Sequence, residues 1–484
     1  MRKYKYLIVS GFLVTIALLV SCKTQKPSYP NIILCMSDDQ GWGDIGYHNH
    51  PFLKTPNLDK MAANGIKLER FYSAAPVCSP TRGSCLTGRH PYRYGIFNAN
   101  VGSLPKEELT LAEVLKSLGY KTGHFGKWHL GTLTKTLTES NRGGERGIMH
   151  YSPPWENGFD ECFSTEAKTP TYDPMIKPAN WNDHRWWNPV KEDEEKKSFN
   201  TFYWTGQDQF VEDNLKGDDS KLIMDKALSF IKNAVNNKDN FFAVIWFHTP
   251  HWPVVAGEEY RDLYSGHDEF SQNHFGSISA MDDQIGRLRK SLKEIDVSNN
   301  TMLWFCSDNG PAGLVSKDVG KRHGKGSAGI LRGRKKDLFE GGIRVPGILE
   351  WPKHIKAGQL SKFPCSTSDY FPTIMDILDY SHPNQPTQLD GISLLPMLNG
   401  QTADRTIPIK FQSGKKLALI DDKYKIISVD KGNSFMMYDL KKDPGEQTDI
   451  KSDHPELFEK MKEELSAWQK SCNKSLQGKD YIIH

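Results

Sequence analysis

The sequence predicts an α/β fold: a mostly parallel sheet sandwiched by helices, followed by a smaller C-terminal antiparallel α+β domain. Three observations predict it. Short, wholly apolar runs such as residues 241–247 read as strands buried on both faces. Amphipathic helical patterns alternate with those runs, as they do in parallel sheets. The last quarter of the chain changes to half-apolar strands joined by tight polar turns.

Taken in order, residues 31–36 form an apolar run ending in Ser37-Asp38-Asp39, a strand followed by a polar loop. Ser79 is placed to cap a helix that has Pro80 at its first position. Thr110 and Glu113 form a capping box; Leu111, Val114, Leu115 and Leu118 follow at helical spacing, and Gly119 stops the helix. Residues 121–125 make a short strand. Ile278, Met281, Ile285, Leu288 and Leu292 mark one face of a helix, and residues 301–306 are the next buried strand, ending in Ser307-Asp308-Asn309-Gly310. Phe371, Ile374, Ile377 and Leu378 suggest another helix. Strands at 417–420, 424–429 and 434–440 and a helix from about 455 to 469 make up the second domain, which is expected over residues 396–484. The main domain is expected over residues 31–395.

A chain of 484 residues corresponds to roughly two to four domains and can bury a sizeable core. Apolar residues are 37%, charged residues 25%, and the net charge of +3 is spread without a long single-sign block. That excludes a nucleic-acid binder held by a basic stripe, and leaves an anionic small ligand open. At the N-terminus, Arg2, Lys3 and Lys5 precede an apolar run over residues 7–20, too short for a comfortable membrane span. The run ends in Leu19-Val20-Ser21-Cys22, which resembles a bacterial lipobox with Cys22 as the lipidated residue. Residues 1–22 are therefore expected to be a lipoprotein signal peptide and residues 23–30 a tether. Lys23 and Thr24 offer no acidic retention signal, so the expected location is the outer membrane, facing the periplasm or the cell surface. Of the eight cysteines, Cys35 and Cys306 sit in strand-like runs and read as small buried hydrophobes. Cys85, Cys162, Cys365 and Cys472 lack metal-type spacing, and a disulfide among them is open.

The chemistry concentrates at strand ends. Asp38-Asp39 and Asp308-Asn309 each follow a buried strand, and the carboxyl ends of strands line the ligand crevice of open α/β sheets. Three carboxylates and an amide oxygen meeting there repel one another unless a hard cation joins them, and oxygen ligands suit Ca²⁺ or Mg²⁺, not zinc. The alternative is that these residues only favour turns and caps. Cys78 lies at the expected positive end of a helix with Arg82 one turn on, the setting of a reactive cysteine. Residues 132–205 have little periodicity and many aromatics, among them Trp155, Trp181, Trp186, Trp187, Tyr203 and Trp204. With His251 they are candidates for a substrate subsite.

Cys78-x-Pro80-x-Arg82 followed by Leu86-Thr87-Gly88-Arg89 resembles the signature of the type I, formylglycine-dependent sulfatases of the alkaline phosphatase superfamily. Further motifs match that family in order: Asp38-Asp39; Gly126-Lys127-Trp128-His129-Leu130-Gly131; His248-Thr249-Pro250-His251; Ser307-Asp308-Asn309-Gly310; and Lys335 through Glu340-Gly341-Gly342-Ile343-Arg344-Val345-Pro346. Tyr438-Asp439-Leu440 with Asp443-Pro444 and Glu446 resembles the C-terminal signature, so the match runs from about residue 30 to about 470. Thr81 stands where Ser or Ala is commoner, and Lys336 where Gly is usual; spacing to Glu340 assigns the sulfate contact to Lys335. The resemblance implies an alkaline-phosphatase-like fold with residues 31–395 as its catalytic domain. It implies conversion of Cys78 to formylglycine (3-oxoalanine) by a sulfatase-maturating enzyme. It implies one Ca²⁺, in preference to Mg²⁺, on Asp38, Asp39, residue 78, Asp308 and Asn309. Lys127 and Lys335 are then expected to hold sulfate, with Arg82 supporting residue 78. His248 is expected to protonate the leaving oxygen and His129 to act as base. The expected substrate is a sulfated oligosaccharide or polysaccharide, which suits an exported, lipid-anchored protein. Two rival readings are a phosphodiester or phosphonate monoester hydrolase of the same superfamily, and an inactive glycan-binding lipoprotein.

Overall fold

A computed structural model describes residues 29–139, 144–179, 181, 187–313 and 326–481. The signal segment, Cys22 and Trp186 lie outside the described residues. A ten-stranded sheet forms the centre, in the order Gln359–Ser361, Ile66–Leu68, Gly347–Glu350, Thr301–Ser307, Asn31–Ser37, Phe241–Trp246, Lys121–Lys127, Glu161–Thr165, Tyr203–Gly206 and Gln209–Val211. Its middle is parallel: Asn31–Ser37 runs alongside both Phe241–Trp246 and Thr301–Ser307, with Leu34 beside Val244 and Trp304. Antiparallel partners enter at Gly347–Glu350 and at the Tyr203–Gly206 edge, so the sheet is mixed but mostly parallel.

Every residue of the three central strands is buried, because helices cover both faces. Alternation sorts the side chains. Ile32, Leu34, Met36, Val244 and Trp304 pack on one side with Leu86, Leu115 and Ile374 from helices Cys78–Thr87, Leu111–Ser117 and Tyr370–Ile377. Ile33, Cys35, Ala243 and Phe305 pack on the other with Leu58, Ile223, Ile278 and Leu288 from helices Pro56–Asn64, Asp219–Asn236 and Glu269–Glu294. The capping box at Thr110 and Glu113 forms.

The C-terminal sheet is four antiparallel strands: Ile409–Ser413, Lys416–Ile420, Tyr424–Ser428 and Met436–Asp439. One face packs on Met461, Leu465 and Trp468 of helix Pro455–Leu476, which runs further than periodicity alone suggested. The other packs on Tyr72, Leu338 and Ile343 of the main domain. Between them lies a buried ion network in which Lys425 Nζ is 3.1 Å from Glu340 Oε1 and 2.9 Å from Glu446 Oε1.

One local expectation is corrected. Ser79 does not cap the reactive-cysteine helix: the helix starts at Cys78 itself, Val77 is the N-cap, and the Ser79 hydroxyl makes no hydrogen bond. The Thr81 hydroxyl does the tying instead, donating to the Ala75 carbonyl at 2.9 Å and accepting from the Ala75 N–H at 3.2 Å. Cys78 still sits at the positive helix end. Cys35, Cys78, Cys85, Cys162, Cys306, Cys365 and Cys472 are all buried free thiols. No helix among the described residues is long and apolar enough to cross a membrane.

Candidate active site

The strand ends meet at one point. Pairing of Asn31–Ser37 with Thr301–Ser307 sets Ser37 beside Ser307, and so brings Asp38-Asp39 up to Asp308-Asn309. The Asp39 N–H donates to Asp308 Oδ1 at 3.0 Å, and Asn309 Nδ2 donates to Asp39 Oδ1 at 2.7 Å. Cys78 Sγ lies 3.5 Å from Asp38 Oδ1 and 3.3 Å from Lys335 Nζ. Arg82 is fully buried, with Nη2 2.7 Å from Asp308 Oδ2 and 3.7 Å from Asp38 Oδ1, and its guanidinium carbon 5.2 Å from the Trp246 ring centre. Lys127 Nζ is 2.6 Å from Asp38 Oδ2, and Lys335 Nζ is 2.5 Å from Asp39 Oδ1.

Two glycines permit this convergence. A Cβ on Gly126, at φ +100°, would lie 1.9 Å from the Trp246 carbonyl oxygen, so only glycine lets the Lys127 strand lie this close. A Cβ on Gly310 would lie 1.9 Å from the Gly341 carbonyl oxygen, directly behind Asn309.

Burial and charge set the protonation states. Burial works to raise Asp39, but Lys335 and His251 outweigh it and hold its carboxyl well below the ordinary range. Asp308 is raised to about 6, by burial first and then by repulsion from Asp38, against the pull of Arg82. The Cys78 thiol is pushed far up, by burial and then by Asp308.

The residues fit a hard cation. Asp38, Asp39, Cys78 and His251 each present a ligand atom within 4.8 Å of the others. Asn309 Oδ1 is buried and accepts no hydrogen bond, the mark of an oxygen awaiting a partner. Asp308 stands slightly back, with one oxygen on Arg82 and the other on the Asp39 N–H. Carboxylate and amide oxygens suit Ca²⁺ or Mg²⁺.

The two histidines at positions 248 and 251 are placed differently from what the motif led one to expect. The ring of His248 is fully buried and spoken for at both nitrogens: Nδ1 is 2.7 Å from Asp219 Oδ2 and Nε2 is 2.7 Å from Thr165 Oγ1. It therefore has no nitrogen to offer a substrate. His251 reaches the site instead, with Nε2 3.7 Å from Asp39 Oδ2 and Nδ1 held 2.7 Å from the Trp252 carbonyl oxygen. Its pKa is driven well below the usual histidine value, by burial first and then by Lys127. His129 is placed by Asn100, whose Oδ1 lies 2.6 Å from Nε2, and by its own N–H, which donates to the Glu166 carbonyl at 2.8 Å.

Asp39, His251, Trp252, Ala312, Gly313, Lys335 and Lys336 line a pocket of about 470 Å³ over this cluster. The aromatic candidates are largely corrected: Tyr203 and Trp204 are buried in the sheet edge, Trp155 packs against the core, and Trp181 meets Phe199. Among the described candidates Trp187 alone approaches the pocket, through a ring contact of 5.9 Å with Trp252. Asn100, Thr165 and Asp219 were not legible as site residues, because each reaches the site from a distant segment. Trp252, directly after His251, carried a local signal.

The Sulfatase family profile matches residues 30–380, well over half of the chain, and a second, for the C-terminal region of N-sulphoglucosamine sulphohydrolase, matches residues 333–471. The chain belongs to the sulfatase family. It is a sulfuric ester hydrolase of the alkaline-phosphatase-like fold. It is 35% identical over 408 residues to N-acetylgalactosamine-6-sulfatase of Rattus norvegicus, a match spanning 81% of this chain and 70% of that one. Against steryl-sulfatase of Homo sapiens it is 29% identical over 441 residues, spanning 79% and 72%. The crystal structure of Ps i-CgsB in complex with k-i-k-neocarrahexaose superposes with a TM-score of 0.75 at 24% identity, covering 94% of this sulfatase and 95% of that chain.

Proposed function

We propose that this sulfatase removes sulfate from a sulfated carbohydrate, through a formylglycine formed at position 78 by a sulfatase-maturating enzyme and with Ca²⁺ in preference to Mg²⁺. The observation that carries the reading is the convergence of Asp38 and Cys78 with Asp39, His251 and Lys335, the last three of which line one pocket. Similarity to a sulfatase named for N-acetylgalactosamine supports the carbohydrate.

The thiol itself is unsuited to attack: burial and Asp308 keep it protonated, and the thiolate is the nucleophilic form. Formylglycine, as its hydrate, would supply one hydroxyl for attack on sulfur and a second through which the site is cleared. The side chains alone cannot supply the charge an anionic ester needs, since Asp38, Asp39 and Asp308 offset Arg82, Lys127 and Lys335; a divalent cation on Asp38, Asp39, residue 78, Asp308 and Asn309 would supply it. Lys127 and Lys335 bind sulfate oxygens and balance the charge that develops on them. Arg82, fixed by Asp308 and Trp246, orients residue 78. As the S–O bond to the sugar breaks, His251 Nε2 gives its proton to the sugar oxygen, and the Trp252 carbonyl keeps Nδ1 protonated. The approaching sulfate offsets the downward pull on the His251 pKa. His129, oriented by Asn100, takes the proton that residue 78 releases when sulfate leaves. From the N-terminal pattern we also propose export and anchoring through lipid on Cys22, to the outer membrane.

The test is sulfate release from saccharides sulfated at the 2-, 3-, 4- or 6-position, after co-expression with a maturase and with Cys78→Ala as control. Release from one linkage, absent in the control, supports the reading. No release from any of them, with formylglycine at position 78 verified by mass spectrometry, sinks the carbohydrate assignment.

A further inference from the structure

We infer that Lys336 forms a second anion subsite at the mouth of the catalytic pocket, so that the substrate carries another negative group besides the sulfate being removed. The inference deepens the saccharide reading above and rests on it for the nature of the ligand.

Lys336 lines the same pocket as Asp39, His251, Trp252 and Lys335. It is exposed, and among the described residues its ammonium makes no hydrogen bond or ion pair. The neighbouring acid does not neutralise it, since the Asp337 carboxylate is held by Lys416 Nζ at 2.5 Å. Its backbone sits at φ +76°, the left-handed region that a residue with a Cβ occupies only under constraint. The constraint is visible: its N–H donates to the Pro76 carbonyl at 2.9 Å, and its carbonyl accepts from Lys416 Nζ at 2.8 Å. Glycine would meet the same demand without strain. Two other residues of the site share the conformation, Asp39 at φ 68° and His129 at φ 59°, and both bear chemistry. Strain held at a binding site by the surrounding structure is a pointer to function.

The division of labour follows from direction. Lys335 turns down to Asp39 and to Cys78 Sγ at 3.3 Å, where the reacting sulfate must lie. Lys336 is exposed at the rim of the same pocket, whose lining also includes Trp252. A sugar with its sulfate at residue 78 therefore brings its other substituents, or the next sugar, to Lys336. A second sulfate ester or a uronate carboxylate has the chemistry to pair there.

The test uses the full chain carrying Cys78→Ala, so that binding is read without turnover. Three probes are titrated calorimetrically: N-acetylgalactosamine 6-sulfate, its 4,6-disulfate, and the uronate-containing disaccharide of chondroitin 6-sulfate. With Lys336 present, one of the doubly anionic probes should bind about tenfold more tightly than the monosulfate, and which one does so tells sulfate from carboxylate. The ratio should fall to within about twofold in Lys336→Gly, and in Lys336→Gln, which keeps the Cβ. It should also shrink with added salt. Lys336→Gly should melt no lower than its parent, because the strain is relieved. An unchanged ratio in both variants overturns the inference, as does a lack of binding by all three probes. Sulfate release from the panel above with an unchanged ratio defeats the subsite alone. A charge-dependent ratio without any sulfate release defeats the substrate reading alone.

Discussion

At the scale of single residues, the decisive contrast is between His248 and His251. They share a four-residue stretch of one loop, and both could be the central histidine of a His-Thr-Pro-His motif. Spacing does not separate them, since each follows the same buried strand. Hydrogen bonding does: His248 is committed at both nitrogens to Asp219 and Thr165, whereas His251 keeps Nε2 toward the carboxylate cluster. His251→Ala should therefore slow hydrolysis of a sugar sulfate by about 10² to 10⁴-fold, the range for a lost general acid. An aryl sulfate with a nitrophenol leaving group needs no such proton and should lose far less. Equal losses on both substrates would remove His251 from the acid role. His248→Gln should act differently, lowering the thermal midpoint because it leaves the buried Asp219 with only the Tyr203 hydroxyl as side-chain partner.

At the scale of elements, the central strands and the helices with a clear apolar stripe were legible because periodicity reports burial directly, whereas helix Asp219–Asn236 and the edge strands Glu161–Thr165 and Tyr203–Gly206 were not read. The alternation of Ile32, Leu34 and Met36 against Ile33 and Cys35 is hidden in an all-apolar run, yet that very uniformity announced a strand covered on both sides. Caps supplied from elsewhere were not legible. Helix Pro56–Asn64 has no side-chain cap of its own. Asp282, from the middle of helix Glu269–Glu294, caps it instead, accepting from the Leu58 N–H at 2.7 Å and the Asn57 N–H at 3.0 Å. Burial, against those N–H groups, raises the Asp282 carboxyl to about 7. The folded protein thus holds a proton that the unfolded chain gives up near pH 4, and this contribution to stability is lost as pH rises from about 4 to about 7. The slope is at most about 1.4 kcal/mol per pH unit for one proton. Melting between pH 5 and 7.5 should show a shallower fall for Asp282→Asn than for the parent, whatever the absolute change in midpoint. Parallel curves would mean that Asp282 is ionised throughout.

At the scale of the whole molecule, the site is a seam between segments far apart in sequence, and a divalent cation would bind only the folded form. Removing the metal with a chelator should abolish sulfate release and lower the melting midpoint by a few degrees, and added Ca²⁺ should restore both. Saturation at a hundred times Kd corresponds to about 2.7 kcal/mol of added stability. Asp39→Asn should show neither loss nor recovery. An unaltered midpoint and activity in chelator would remove the cation from the account. The C-terminal sheet is tied to this seam through the Glu340–Lys425–Glu446 network and, separately, through Lys416, which donates to the Lys336 carbonyl at the pocket rim.

The sequence by itself determined what local chemistry and periodicity encode: buried strands ending in Asp38-Asp39 and Asp308-Asn309, a cysteine at a helix start, and the family motifs around Lys127 and Lys335. These follow from patterns a few residues long, and burial on both faces of a strand leaves its mark in every residue. Only the tertiary structure decided which histidine faces the site, which asparagine orients His129, that Asp282 caps a remote helix, and that Lys336 is held in a glycine-like conformation at the pocket rim. Those features depend on which distant backbone and side-chain groups come within hydrogen-bonding reach, and strand register and helix docking, not neighbouring residues, fix those distances.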